Sequence, residues 1–126
     1  MASLIHKELS DSVLGAAFAV HNELGPGLLE SAYEGAVCVE LRLRGIGVER
    51  QPVFPLHYRG EYVGAYIADL VVAGTIILEL KAVKELSPVM DAQIINYLKL
   101  SELPVGYLIN FANTRVEWKR FVNRVG

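Results

Sequence analysis

The sequence has little cysteine, little aspartate, no excess of positive charge and no long uninterrupted apolar run. Its single cysteine, Cys38, cannot close a disulfide within the chain, and no CxxC or Cys/His spacing offers a zinc site. That usage suits a reducing compartment and points to a cytoplasmic protein. The most apolar window, residues 62–80, is cut by Asp69 and Glu79, which argues against a membrane span. Residues 13–20 have the look of a signal-peptide centre, but Lys7, Glu8 and Asp11 precede them instead of a positive stretch, and a helix fits better. Twelve Lys plus Arg against fourteen Asp plus Glu leave a net charge of -2. A strongly basic coat protein for nucleic acid is thereby excluded, whereas a local basic patch is not.

What is present is one domain's worth of chain. The 126 residues, 52% hydrophobic and 21% charged, can bury a single core without metal or disulfide and are too apolar for disorder. No repeat, low-complexity tract or linker divides residues 1–126. Apolar residues at Ile5, Leu9, Val13, Ala16, Ala17, Val20 and Leu24 mark one face of a helix over 4–24, ended by Gly25-Pro26-Gly27. Leu29, Ala32, Tyr33, Ala36, Val37 and Leu41 mark a second helix over 28–44, with Gly45 as its stop. The texture then becomes β-branched and aromatic. Strands are expected over 53–58 and 62–72 around the turn Arg59-Gly60-Glu61, and a third over 75–83 after Ala73-Gly74. Ser87 caps and Pro88 opens a helix to Leu100. Strands over 105–111 and 115–122 complete the order α-α-β-β-β-α-β-β, an α/β domain with a mixed sheet.

Charges interrupt the most apolar strands. Ile76, Leu78 and Leu80 share one face of their strand, while Ile77, Glu79 and Lys81 share the other. Asp69, one of only three aspartates, sits among Ile67, Ala68, Leu70 and Val71. The turn at Ala73-Gly74 folds its strand back against that of Glu79, so the two carboxylates can approach. A buried carboxylate is costly unless paired or used. One account is a structural salt bridge of Asp69 or Glu79 with Lys81. The other is a divalent cation between the two acids, since Mg²⁺ takes one or two carboxylates together with substrate phosphate oxygens.

Asp69 followed by Glu79-Leu80-Lys81 resembles the D…ExK core of the PD-(D/E)xK nuclease superfamily, with Ala68 where proline is usual. Gly27-Leu28-Leu29-Glu30-Ser31-Ala32-Tyr33-Glu34 is similar to the motif of that superfamily's GxxExxY family of small bacterial and archaeal proteins. The likeness continues in order through Gln51, Tyr58-Arg59-Gly60, Gln93, Asn96-Tyr97-Leu98-Lys99 and Ile109-Asn110-Phe111. It implies a restriction-endonuclease-like mixed sheet flanked by helices, and a nuclease that cuts DNA with Mg²⁺ or Mn²⁺. By motif, Asp69 and Glu79 would bind the metal and Lys81 would assist the attacking water. Glu30 would be an extra acid from an N-terminal helix, and Gln93 would orient the site. Family members often carry a His-Glu pair before that glutamine's alanine; here the pair is Met90-Asp91, so any role of the histidine is missing. The competing reading is a catalytically inactive binding or assembly module on the same fold. With almost no insertion for gripping a duplex, an active form calls for a homodimer or a partner subunit.

The remaining candidates have plain explanations. Glu34 and Tyr33 read as a helix acid and a core aromatic, Tyr97 as packing, and His6, His21 and His57 as surface or packing residues without ligand spacing. Cys38 reads as a small core residue. The segment holding Arg115, Glu117, Trp118, Lys119, Arg120 and Arg124 is locally basic; a solvated edge strand accounts for it better than a phosphate contact does.

Overall fold

Residues 6–123 are described by a computed structural model; Leu4, Ile5 and Arg124 lie outside them. The first apolar stripe forms α1 (Lys7–Leu24), stopped at Gly25. The second forms α2 (Glu30–Leu43), which starts later than its periodicity suggests. Leu29 is extended (φ -73°, ψ 155°), and Tyr33 ties down the loop before it: its hydroxyl donates to the Gly25 carbonyl (2.6 Å) and accepts from the Leu28 N–H (3.2 Å). Glu30 thereby becomes the first helical residue.

The β region holds more strands than the sequence suggested: β1 (Val48–Arg50), β2 (Val53–Tyr58), β3 (Glu61–Ile67), β4 (Leu70–Val72) and β5 (Ile76–Lys81). Strand β1 was not anticipated, and the expected strand 62–72 divides at Ala68-Asp69. Both differences have one origin. Arg50 pairs with Leu70 and Val53 with Ile67 at an unchanged offset, so β1–β4 and β2–β3 are two halves of one antiparallel ribbon. Between them the Gln51 N–H donates to the Asp69 carbonyl (2.9 Å) and the Ala68 N–H to the Pro52 carbonyl (3.1 Å). Gln51 adopts φ 56°, and Pro52 has no N–H for a straight ladder, so the ribbon bends there. Ala68 and Val71 then face the same core although they are three residues apart, which strict alternation forbids. The expected hairpin tip does form, with positive φ at Arg59 and Gly60.

Ser87 caps α3 (Pro88–Ser101) by accepting from the Met90 N–H, as the sequence implied. β6 (Val105–Asn110) and β7 (Glu117–Val122) follow. The main sheet runs β1-β4-β5-β6-β7, with β5 and β6 parallel and the other pairs antiparallel; β2 and β3 form a separate two-stranded sheet. β7 is an edge strand, and its Lys119 pairs with Asp91 at 3.1 Å. The α/β class and restriction-endonuclease-like architecture are therefore as expected.

The sheet separates two cores. Ile76, Leu78 and Leu80 join Val13, Tyr33, Val37 and Phe111 on the side of α1 and α2. Ile77, Val71, Ala68 and Tyr66 join Leu98 of α3 on the other. α3 can lie close because Gly106 lacks a side chain: a Cβ there would stand 3.1 Å from Ile94 Cδ1. Cys38 is buried in the first core, and burial pushes its thiol upward.

Candidate functional site

The bend of the ribbon places Asp69 beside β5. Its carboxylate Oδ2 accepts from the Leu80 N–H at 2.7 Å. The Glu79 carboxylate Oε2 accepts from the Asp69 N–H (3.2 Å) and from the Tyr66 hydroxyl (2.5 Å). Each acid thus receives a backbone N–H from the other's segment, which holds the pair together despite like charge. Asp69 Oδ1 and Glu79 Oε1 have no protein donor among the described residues.

Burial is the main electrostatic influence on both. It raises the Glu79 carboxyl from its ordinary value to about 7, with the Asp69 charge adding to the rise and the Tyr66 hydroxyl opposing it. Asp69 is raised chiefly by burial as well; the Leu80 N–H opposes this, and the charge of Glu34 reinforces it. Lys81, half-buried two residues beyond Glu79, lowers both. Tyr66 is pushed far upward by burial and by Glu79, so its hydroxyl stays protonated and donating.

Glu30 arrives from the start of α2. Its carboxylate accepts from the Ala82 N–H at 3.0 Å, immediately after Lys81, and its charge adds to the raising of Asp69. Glu30, Asp69, Glu79 and Lys81 are therefore brought to one end of β5. The segment beyond Lys81 is fixed by Asn110, fully buried, whose side chain accepts from the Val83 N–H and donates to the Val83 carbonyl. Gln93 is exposed on α3 and makes no side-chain hydrogen bond to these acids.

Two parts of the site escaped the sequence reading. Glu34 is buried, accepting from Arg50 Nε (2.7 Å) and Gln51 Nε2 (3.3 Å), and its charge acts on Asp69. A signal existed: Glu30 and Glu34 are one helical turn apart, so a site role for one places the other on the same face. Tyr66, the hydroxyl donor to Glu79, left no comparable mark. Tyr33 is a core aromatic, stacked on Phe111 at 4.5 Å.

The donor set suits a partly hydrated oxygen-seeking ion. No group of three or more His, Cys, Asp or Glu among the described residues forms an all-protein cage. Two carboxylates with one open oxygen each match the sparse protein ligation that Mg²⁺ or Mn²⁺ uses alongside water and phosphate. Among the described residues no helix is long and apolar enough to cross a membrane.

Comparison with solved structures bears on the fold. SSO0001 superposes with a TM-score of 0.54 at 18% identity over 96% of this chain, which spans 59% of that protein's length. LHK-Exo, solved in complex with dAMP, gives a TM-score of 0.50 at 8% identity, covering 90% of this chain and 82% of that one. No curated protein matches the sequence. The model of one family matches residues 7–121, almost the whole of the described chain, and by it the protein belongs to the PD-(D/E)XK nuclease superfamily.

Proposed function

We propose that the protein is a divalent-metal-dependent nuclease that hydrolyses phosphodiester bonds of DNA with Mg²⁺ or Mn²⁺, and that within its superfamily it belongs with the GxxExxY proteins. The observation that carries this reading is the pair of carboxylates, half-buried Asp69 and buried Glu79, cross-bonded through each other's backbone with one oxygen of each left open. Those two acids would hold the ion. The chemistry it supplies is positive charge against the phosphate oxygens and a lowered pKa for water. Lys81 places its ammonium at the same end of β5, where it would orient the attacking water and offset charge developing at phosphorus. Glu30 would add a further acid there, and Gln93 would contact substrate from the exposed side of α3. The reading includes a cytoplasmic setting, which suits the buried Cys38, and a homodimer or partner subunit to grip a duplex.

The test is cleavage of DNA and RNA in Mg²⁺ and in Mn²⁺ by wild type, Asp69→Asn and Lys81→Ala. The expected result is cleavage of DNA by wild type and a loss of roughly 10³-fold in either variant. Equal cleavage by all three proteins, or none by any, would sink the proposal.

One observation favours an inactive module on the same fold: the acids already receive donors from Leu80, Asp69 and Tyr66. Titration with Mn²⁺ separates the readings. A working site gains thermal stability on saturation, whereas an internally satisfied relic does not.

A further inference from the structure

Tyr66 belongs to two places at once. Its hydroxyl donates to Glu79, and its ring lines a groove of about 630 Å³ between the β2–β3 hairpin and α3. Tyr66 is thus the link between the groove and the acids, none of which lines the groove itself. Its hairpin wall carries Leu56 and Ile67, 43% and 56% exposed. The opposite wall is α3, which presents Asn96, Tyr97 and Lys99. Tyr97 stacks on Tyr66 with ring centroids 3.6 Å apart and planes within 9°. Gln93 stands one helical turn before Asn96 and Tyr97 on the same helix.

We propose that this groove takes the unpaired nucleotides of a single-stranded or frayed DNA end, leading the strand to the carboxylates. The inference rests on the nuclease reading above and narrows its substrate class. The lining supplies the two things a single strand requires: apolar and aromatic surface for base faces, and a cation for the backbone. Lys99 is placed for phosphate, and the Asn96 amide can bond a base edge without selecting one base. The volume lies in the range of sites that enclose small molecules, so it accommodates one or two nucleotides. The groove between α3 and β7 also includes Lys99, but it lacks Tyr66, the lining residue that is bonded to Glu79.

The experiment measures fluorescence anisotropy of labelled oligo-dT and of a blunt duplex of equal length, without metal so that nothing is cut. Asp69→Asn and the doubly substituted Asn96→Ala, Lys99→Glu protein are compared with wild type. Asn96 and Lys99 are exposed, and circular dichroism checks that the double variant is folded. The expected results are single-strand binding at least about tenfold tighter than duplex binding, and a loss of about tenfold in the double variant. Asp69→Asn should bind the single strand at least as well as wild type. Equal affinity for strand and duplex, no measurable strand binding, or an unchanged affinity in the double variant overturns the groove. So does a change of oligomeric mass in that variant without a change in DNA affinity, which would make the groove a contact between copies. Cleavage in Mg²⁺ is scored separately. Wild type that cuts while the double variant binds normally removes the groove and keeps the nuclease; the reverse pattern keeps the groove and removes the nuclease.

Discussion

The two faces of β5 lie a peptide's thickness apart and have opposite characters. Ile76, Leu78 and Leu80 point into the larger core beneath α1 and α2, among Val13, Val37, Phe111 and Tyr33, whose hydroxyl is satisfied. Ile77, Glu79 and Lys81 point toward α3, where an acid is buried beside a second acid. One strand thus serves stability on one side and, on the proposed reading, chemistry on the other. The dry face offsets what the charged face costs, so the molecule tolerates two raised carboxyls without a disulfide or a structural zinc.

The strongest way to break this division is on the dry face. Leu78 is fully buried, so Leu78→Ala should cost about 3–5 kcal/mol in chemical denaturation. A loss under about 1 kcal/mol would mean that the first core is not the main source of stability.

The next effect comes from the charged face and is set by pH. Glu79 has its folded pKa raised from 4.5 to about 7, so folding binds a proton that the unfolded chain releases earlier. Its contribution is full below about pH 4.5 and is lost as pH rises through 7. For metal-free protein the loss is at most about 3 kcal/mol. Glu79→Gln should flatten this part of the profile; an unchanged profile in the variant would show that Glu79 is not the titrating group. Saturating Mn²⁺ should oppose the decline, because the ion binds the ionised acids.

A smaller change tests whether the acids repel in the folded state. Asp69→Asn keeps an acceptor for the Leu80 N–H while removing a charge, and should raise metal-free stability at pH 8 by about 1 kcal/mol while abolishing cleavage. A destabilised variant would indicate that Lys81 holds Asp69 as a structural ion pair. Smallest of all, Ser87→Ala should cost about 0.5–1 kcal/mol, since it removes only the cap of α3. If it also reduced DNA affinity, α3 would be placing groove residues and not merely closing the second core.

The elements that were legible from sequence are those whose signal is local. Periodicity located both N-terminal helices, Ser87-Pro88 marked the start of α3, and Arg59-Gly60 marked the hairpin tip. Alternation assigned Glu79 and Lys81 to one face. The bend at Gln51 and Asp69 was not legible, because it depends on two segments pairing across the ribbon while both leave the straight ladder. The same applies to Tyr66 and to the partners of Glu34. Nothing near either in sequence indicates which carboxylate or guanidinium will stand opposite it.

By itself, the sequence determined that two acids and a lysine would interrupt the apolar β region of an α/β fold, since composition and period-two alternation are properties of the chain alone. Only the tertiary structure decided that Asp69 and Glu79 would exchange backbone donors, that Glu30 would close on Ala82 and that Gln93 would remain exposed. Those outcomes depend on hydrogen bonds between residues far apart in sequence, which form only once the ribbon has bent and α2 and α3 have packed on opposite faces of the sheet. The lone cysteine set one limit at the outset: with no disulfide possible within the chain, hydrogen bonds between distant segments and the packing around them hold these acids together.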